Sequence, residues 1–181
     1  MLQLTIKAQE LFNNDTQEFI EIKPTVIQLE HSLVSISKWE SKWHKPFLTD
    51  DDKTTEELVD YIRCMTITQN VSPSAYYGIT NQQIQKIKDY ISDPMTATTF
   101  NEPQNKGRVK KKKITSEVIY YQMIALGIPM ECQKWHINRL MTLIRVCNIK
   151  NQPEKKMKGG DVARQYADLN RARRNALHTR G

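Results

Sequence analysis

The sequence has few cysteines and no long apolar run, and both absences narrow the possible functions. Its three cysteines, Cys64, Cys132 and Cys147, form no CxxC pair and cannot all be paired within one chain, which favours a reduced, intracellular setting. No stretch of 18 consecutive apolar residues occurs, so we expect no membrane span and no membrane partner. The first seven residues lack the basic start and the apolar run of a signal peptide.

Catalytic and cofactor-binding motifs are missing as well. No HExxH, P-loop, GxGxxG or GxSxG pattern occurs. Cys132 and His136 are four residues apart and are expected to share one helix face, but zinc sites need three or four ligands and no second pair is suitably spaced. We therefore predict ordinary helix packing at these two residues, and a protein that is not an enzyme and holds no metal or cofactor.

Charge is present in quantity, and it is divided between the two halves of the chain. Residues 1–100 carry 9 Lys and Arg against 14 Asp and Glu, a net charge of −5. Residues 101–181 carry 18 against 6, a net charge of +12. The basic excess is concentrated in a lysine run and in the arginines near the end: Lys110, Lys111, Lys112, Lys113, Arg164, Arg171, Arg173 and Arg174. Such asymmetry favours a protein that binds other macromolecules.

The partner of these basic residues is left open by the sequence. Lysine runs are usually solvated loops, yet counterion release would favour binding to phosphates. No aromatic RNA-binding pattern or helix-turn-helix accompanies them. An acidic or amphipathic protein segment fits the same charges at least as well.

The first 30 residues predict a small β-sheet. Leu2, Leu4 and Ile6 alternate with polar residues, which is the period of a half-buried strand. Residues 19–22 are expected to return as the hairpin partner of this strand. Pro24 interrupts the pattern, and residues 25–30 predict a third short strand.

From Ser32 onward the apolar spacing becomes helical. The first of three predicted helices stops at Pro46, and the other two open with the capping boxes Thr54-x-x-Glu57 and Thr80-x-x-Gln83. We assign residues 1–100 to this part of sheet and helices. Residues 101–113, with proline, glycine and the lysine run, predict a basic hinge loop.

The second half predicts a helical core followed by an appendage. Residues 114–126 are apolar nearly all round, which is typical of a buried helix, and residues 130–149 predict a long helix packed against it. Together residues 114–150 are expected to form a buried helical hairpin. Residues 151–181 are expected to be a linker and a basic helix that is mobile until it meets a partner. The predicted fold class is α+β and predominantly α-helical.

Three tryptophans are candidates for protein contacts. Trp39 and Trp43 lie four residues apart with lysines beside them, and Trp135 lies in the apolar second half. They fit a core anchor, with the lysine stems lying over the apolar surface. They also fit a protein-binding face, because tryptophan is enriched at interface hot spots.

Three stretches of the chain resemble a family encoded in the morphogenesis region of long-tailed bacteriophages and prophages. They are LEHSLVSISKWESKWHKPFL (29–48), KITSEVIYYQMIALGIPMECQKWHINRLMTLIRVCNIKN (113–151) and ARQYADLNRARRNALHTRG (163–181). Members of this family are generally described as tail assembly chaperones, and some only as phage structural proteins. The resemblance covers a little under half of the residues.

The resemblance implies a non-enzymatic tail assembly chaperone that binds the tape measure protein in the host bacterial cytoplasm and contacts tail-tube subunits. It leaves open a minor structural protein of the virion at the head–tail or tail-tube junction. Nucleic-acid binding through the basic second half and self-association stay open as well. The Trp39/Trp43 face, Trp135 and the arginines after residue 160 are the expected contact residues.

Overall fold

The computed structural model describes residues 1–13, 17–49, 52–100, 114–151 and 159–177. Within them the fold is α+β and mostly helical, as the sequence predicts. The strands are β1 (Leu2–Ile6), β2 (Gln9–Asn13), β3 (Glu18–Ile22) and β4 (Thr25–Leu29). The helices are α1 (Leu33–Trp43), α2 (Thr55–Met65), α3 (Asn81–Ser92), α4 (Ser116–Ala125), α5 (Ile137–Asn151) and α6 (Gly159–Leu177). Two short 3-10 helices span Pro73–Gly78 and Met130–Lys134. Met1–Asn148 form one compact unit and Ile149–Gly181 a second.

The four strands form one long antiparallel hairpin in two sections. β1 pairs with β4 and β2 pairs with β3, and the register is the same in both, from Leu2 opposite Leu29 to Asn13 opposite Glu18. The sequence prediction that β3 is the partner of β1 is therefore wrong. Residues 9–13 form an additional strand that periodicity alone did not separate from β1.

The buried side of the hairpin changes where the two sections meet. In β1 the side chains of the even-numbered residues Leu4 and Ile6 are buried. In the outer section the buried side chain is Ile22, and its partner Gln9 lies on the same face. The side of β2 that faces the protein is therefore the odd-numbered one. Gly78, at the end of the first 3-10 helix, fits against this junction. A Cβ atom at Gly78 would lie only 2.5 Å from Nε2 of the Gln9 side chain and 2.9 Å from an Ile6 methyl group. Glycine is needed here because the backbone of the 3-10 helix approaches the hairpin so closely.

The capping boxes predicted for α2 and α3 are confirmed. The Thr54 hydroxyl accepts a hydrogen bond from the Glu57 N–H, and the Glu57 carboxylate accepts one from the Thr54 N–H. Thr80 and Gln83 make the same reciprocal pair at the start of α3. These bonds satisfy N–H groups that no helical turn precedes, so each fixes the residue at which its helix begins.

Helix α4 is buried on one side only, which corrects the prediction that it is buried all round. Ile119 and Met123 are fully buried, and the helix packs most closely against α1. Val118, Tyr121 and Ile124 lie on the opposite side and are exposed. The helical core of the second half is therefore organised around α1, and not around α4 and α5 alone.

The long helix predicted from residue 130 is interrupted before α5. Met130–Lys134 form a 3-10 helix, and Trp135 has extended backbone angles. His136 then forms an antiparallel bridge with Ser32, and the Ile137 N–H donates to the His31 carbonyl at 2.7 Å. These bonds to the segment between β4 and α1 replace bonds that would have continued a helix through residue 136.

Candidate protein-binding surfaces

Trp39 and Trp43 form the interface between α1 and α2. Trp39 is only 1% exposed, and its indole N–H donates to the Glu57 carbonyl at 2.9 Å. Trp43 is half-buried, and its indole N–H donates to the Asp60 carboxylate at 2.9 Å. The two indoles stack with ring centroids 6.1 Å apart. Trp39 therefore offers no surface to a partner in this conformation, and it does not contribute to the expected Trp39/Trp43 docking face.

The lysines beside these tryptophans bind α2 as well. The Lys42 ammonium pairs with Asp60, and the Lys45 ammonium lies 2.6 Å from a Glu57 carboxylate oxygen. The hydrogen bond from Lys45 lowers the pKa of Glu57, with a further contribution from the Thr54 N–H. Burial pushes the pKa of Asp60 upward, but the hydrogen bonds from Lys42 and Trp43 outweigh it and lower that pKa. Both carboxylates are therefore held in their charged form.

Trp135 is half-buried and lies between the second 3-10 helix and α5. The Arg139 guanidinium stacks over its ring, 4.3 Å from the centroid. An arginine over an indole face combines a cation with an exposed apolar surface, which is a combination enriched in protein interfaces. Of the three tryptophans, Trp135 therefore best keeps the contact role proposed from the sequence.

Arg164, Arg171 and Arg174 lie on one face of α6, since they are separated by seven and three residues. Arg173 points away from that face, toward the side that carries Leu169 and Leu177. All four arginines are exposed, and Arg171 pairs with Asp168 at 3.4 Å within the helix. The lysine run at residues 110–113 lies outside the described residues.

The exposed side of α4 is a surface that the sequence analysis did not anticipate. We define the α4 face as Val118, Tyr121 and Ile124, which follow one another at three-residue spacing and are 42%, 71% and 70% exposed. An apolar helix face left in solvent is typical of a protein-interaction site. Because α4 is apolar nearly all round, periodicity could not show which side the core would cover.

A second unanticipated surface lies on the outer section of the hairpin. Phe12 and Phe19 are directly opposite each other in the register, and their rings meet edge to face with centroids 5.1 Å apart. Phe12 is 51% exposed and Phe19 is 73% exposed. Glu10 and Glu21 form the neighbouring pair on the same face. The alternation of charged and aromatic residues in both strands is the sequence signal for this surface.

Two buried histidines lie at the centre of the first compact unit. The rings of His31 and His136 are 5.0 Å apart, and Nδ1 of His31 hydrogen-bonds to the Tyr61 hydroxyl. Nε2 of His136 donates to the Tyr90 carbonyl at 3.0 Å, and its Nδ1 accepts from the Asn138 N–H at 3.3 Å. His136 is thus satisfied in its neutral form. Burial, with a contribution from His136, lowers the pKa of His31 to about 3, and burial lowers the pKa of His136 as well.

Because these two histidines are held neutral in the folded protein, we expect the protein to lose stability in mild acid. The unfolded chain takes up protons below the ordinary histidine pKa of 6.5, whereas the folded protein holds His31 neutral down to about 3. The contribution of neutral His31 to the free energy of unfolding is therefore complete above pH 6.5. It is lost progressively as the pH falls from 6.5 toward 3. We expect a loss of about 2 kcal/mol between pH 7.5 and pH 5, measured as the free energy of unfolding in urea.

The variant His136→Gln keeps a donor for the Tyr90 carbonyl but removes one titrating ring, and should show a weaker pH dependence. His44→Asn is the matched control, because His44 is exposed at the left-handed end of α1, a conformation that asparagine tolerates. A flat stability profile between pH 7.5 and pH 5 would contradict this account.

No group of three or more His, Cys, Asp or Glu that could hold a metal ion occurs in the part of the chain that the structure describes. Cys132 and His136 do not share a helix face, since Cys132 lies in a 3-10 helix and His136 precedes α5. The prediction that these two residues share one helix face is therefore wrong. None of the described helices has the length and apolar character needed to cross a membrane.

Comparison of the chain with protein-family models, with curated proteins and with solved structures gives no match.

Proposed function

We propose that this protein is a non-enzymatic tail assembly chaperone of a tailed bacteriophage, which binds the tape measure protein while the tail is built. A resemblance in sequence and a feature of the structure support the proposal. The three stretches described above resemble the family that carries this role. The exposed α4 face supplies the kind of docking surface that the role needs, and it lies within the longest of those stretches.

The α4 face is the single observation that carries the proposal. Its three side chains follow the helix axis at three-residue spacing, so they form a narrow apolar ridge. The ridge of one helix packs into the grooves between side chains of another, so the apolar side of a partner helix can pack against it. Tyr121 stands at the centre, and tyrosine is among the residues enriched at interface hot spots.

A tape measure protein is a suitable occupant because it is long, helical and apolar in stretches. Before the tail tube closes around it, those stretches are exposed to water and prone to aggregation. A binding protein that covers them with an apolar ridge keeps them soluble. The arginines of α6 would contact acidic surfaces in the same assembly, such as those of tail-tube subunits.

The proposal is tested by co-expressing the chain with the tape measure protein of the same phage. We expect the wild-type chain to keep the tape measure protein in the soluble fraction and to copurify with it. The double variant Tyr121→Ser/Ile124→Ser should reduce the soluble, copurified amount by about tenfold, since hot-spot truncations commonly cost 2 kcal/mol or more. Its own thermal unfolding should be almost unchanged, because both side chains are exposed.

Tyr77→Ser is the matched control, because Tyr77 is also exposed but lies in the first 3-10 helix. Equal loss in both variants, or no loss in either, would count against the α4 face as the docking site. A protein inventory of purified particles separates the remaining alternative. Abundance in lysate with absence from particles supports a chaperone, whereas a fixed copy number in particles identifies a minor structural protein of the virion.

The arginine face of α6 favours nucleic-acid binding as a second candidate function. Arg164, Arg171 and Arg174 project from one side of a helix, so all three can face and neutralise phosphates of the same nucleic acid. Retention on DNA should then fall steeply with salt and should weaken in Arg164→Glu/Arg171→Glu. Retention that is weak at low salt would exclude this candidate.

A further inference from the structure

The outer section of the hairpin leaves an aromatic pair uncovered among the described residues. We define the hairpin surface as Glu10, Phe12, Phe19 and Glu21, which form two directly opposed pairs on one face of β2 and β3. The other face of this section is turned toward the protein: Leu11 and Ile20 are half-buried, and β3 packs on the first 3-10 helix. The exposed phenylalanines are therefore not needed to fill the core.

The glutamates on the same face are also unfavourable for the isolated protein. Glu10 and Glu21 are exposed and directly opposite each other, and like charges at such positions destabilise a two-stranded sheet. A cation placed between them would remove the repulsion. The hairpin surface thus suits a partner that presents apolar side chains together with a positive charge.

Helix α6 presents that combination. Tyr166, Leu169 and Leu177 are exposed along one side of the helix. Arg173 lies four residues from both Leu169 and Leu177, so it belongs to the same side and places a guanidinium within the apolar stripe. A guanidinium both stacks on aromatic rings and pairs with carboxylates.

We propose that the hairpin surface of one copy of this chain binds α6 of a second copy, with Arg173 seated between Glu10 and Glu21. The charge of the chain favours this occupant: residues 1–100 carry a net charge of −5 and residues 101–181 one of +12. Contacts between like halves of two copies are repulsive, whereas the acidic half of one copy attracts the basic half of the next.

Such an interface is head-to-tail, because each copy uses one surface as acceptor and a different one as donor. Head-to-tail contacts produce rings when the rotation closes and open chains when it does not. The inference does not depend on the proposed chaperone function. A protein that forms such an assembly would also present its α4 face in several copies.

The test is sedimentation velocity of the full chain over a wide concentration range, at low and at high salt. We expect the average mass to rise with concentration and the rise to weaken with salt, since the contact is partly ionic. Phe12→Ser/Phe19→Ser and Arg173→Glu should each raise the concentration needed for association by about tenfold or more. These residues are exposed, so the circular dichroism spectrum of each variant should match wild type. Melting should be unchanged in Arg173→Glu and only slightly lowered in Phe12→Ser/Phe19→Ser, which loses one cross-strand aromatic pair.

Two further variants show whether the contact is specific. Arg164→Glu is the matched control, because it makes the same charge change on the opposite face of α6 and should leave association intact. The double variant Glu10→Lys/Glu21→Lys should weaken association when it is made by itself. Combining it with Arg173→Glu should restore association, because the charges on the two surfaces are then exchanged.

Three results would overturn the proposal. One is a monomer over the whole concentration range at low salt. Another is association that survives Phe12→Ser/Phe19→Ser, or that Arg164→Glu abolishes as fully as Arg173→Glu does. The third is a protein that stays monomeric but whose β2 and β3 amides exchange more slowly in wild type than in Arg173→Glu. That result would place the contact between Arg173 and the hairpin surface within one chain.

Discussion

Replacing Trp39 by alanine is expected to lower the free energy of unfolding by about 4 kcal/mol, which is a large part of the stability of a domain this size. Trp39 is almost fully buried, and its ring touches both Trp43 and Phe47, with centroids 6.1 and 5.1 Å away. Removing it leaves a cavity between α1 and α2. It also leaves the Glu57 carbonyl without the indole N–H that it accepts from.

Urea unfolding, followed by far-ultraviolet circular dichroism, measures this loss. Trp39→Phe keeps an aromatic ring but lacks the N–H donor, so we expect it to cost about 1–2 kcal/mol, the size of a lost buried hydrogen bond with some repacking. Trp135→Phe is the matched control, because Trp135 is only half-buried and carries the Arg139 guanidinium over its ring. Its effect should be smaller than that of Trp39→Phe.

The same variants separate the two roles considered for Trp39 in the sequence analysis. A docking residue would lose partner binding and leave stability unchanged when truncated. A core residue would lose stability, and any loss of binding would follow from unfolding. A fully stable Trp39→Ala variant would contradict the packing described here.

Local signals in the sequence gave reliable predictions. The capping boxes at Thr54 and Thr80 depend on residues three positions apart, so their geometry is encoded within one turn. The alternation in β1 likewise depends on neighbours alone. The strand at residues 2–6, the starts of α2 and α3 and the fold class could therefore be predicted without knowledge of the tertiary structure.

Features set by distant residues could not be predicted in this way. Periodicity identified the strand at residues 2–6 but not its partner, because pairing depends on the register of the whole hairpin. The break before α5 depends on the antiparallel bridge of His136 with Ser32 and on the hydrogen bond from the Ile137 N–H to the His31 carbonyl. Both contacts join residues about a hundred positions apart. No residue-level rule contains that information.

The candidate surfaces also divide into features set by local sequence and features set by distant residues. Trp39 and Trp43 were identified by residue type, but their exposure depends on the packing of α2 against α1. Contacts with α2 leave Trp39 buried and Trp43 half-buried. The α4 face was hidden in a helix that is apolar on every side. The basic helix at residues 159–177 was predictable because its composition, and not its packing, sets its character.

Glu40 illustrates how one long-range contact can join parts that the sequence analysis treated separately. This glutamate lies in α1 and is buried, and its carboxylate oxygens accept hydrogen bonds from the Phe47 N–H at 2.7 Å and the Ser116 N–H at 2.8 Å. Thr115, the residue that precedes α4, makes no side-chain capping bond. The carboxylate of α1 therefore caps a helix that begins 76 residues later, and its negative charge is favourable at the positive end of α4.

Glu40→Ala is accordingly expected to cost about 3–4 kcal/mol, because two buried N–H groups lose a charged acceptor and α4 loses its cap. Glu40→Gln retains one acceptor oxygen, so it can satisfy only one of the two N–H groups and should lose about half as much. Lys38→Ala is the control on the same helix, since Lys38 is exposed and its loss should have little effect.

Hydrogen exchange gives the local readout for Glu40. In Glu40→Ala the amides of Phe47 and Ser116 should lose protection before the rest of the protein, since their acceptor is gone and the first turn of α4 can fray. The α4 face begins two residues after Ser116, so fraying should also weaken any partner that binds there. Protection at Ser116 equal to wild type, or a stability loss below about 1 kcal/mol, would show that α4 is held by its packing on α1 and not by this cap.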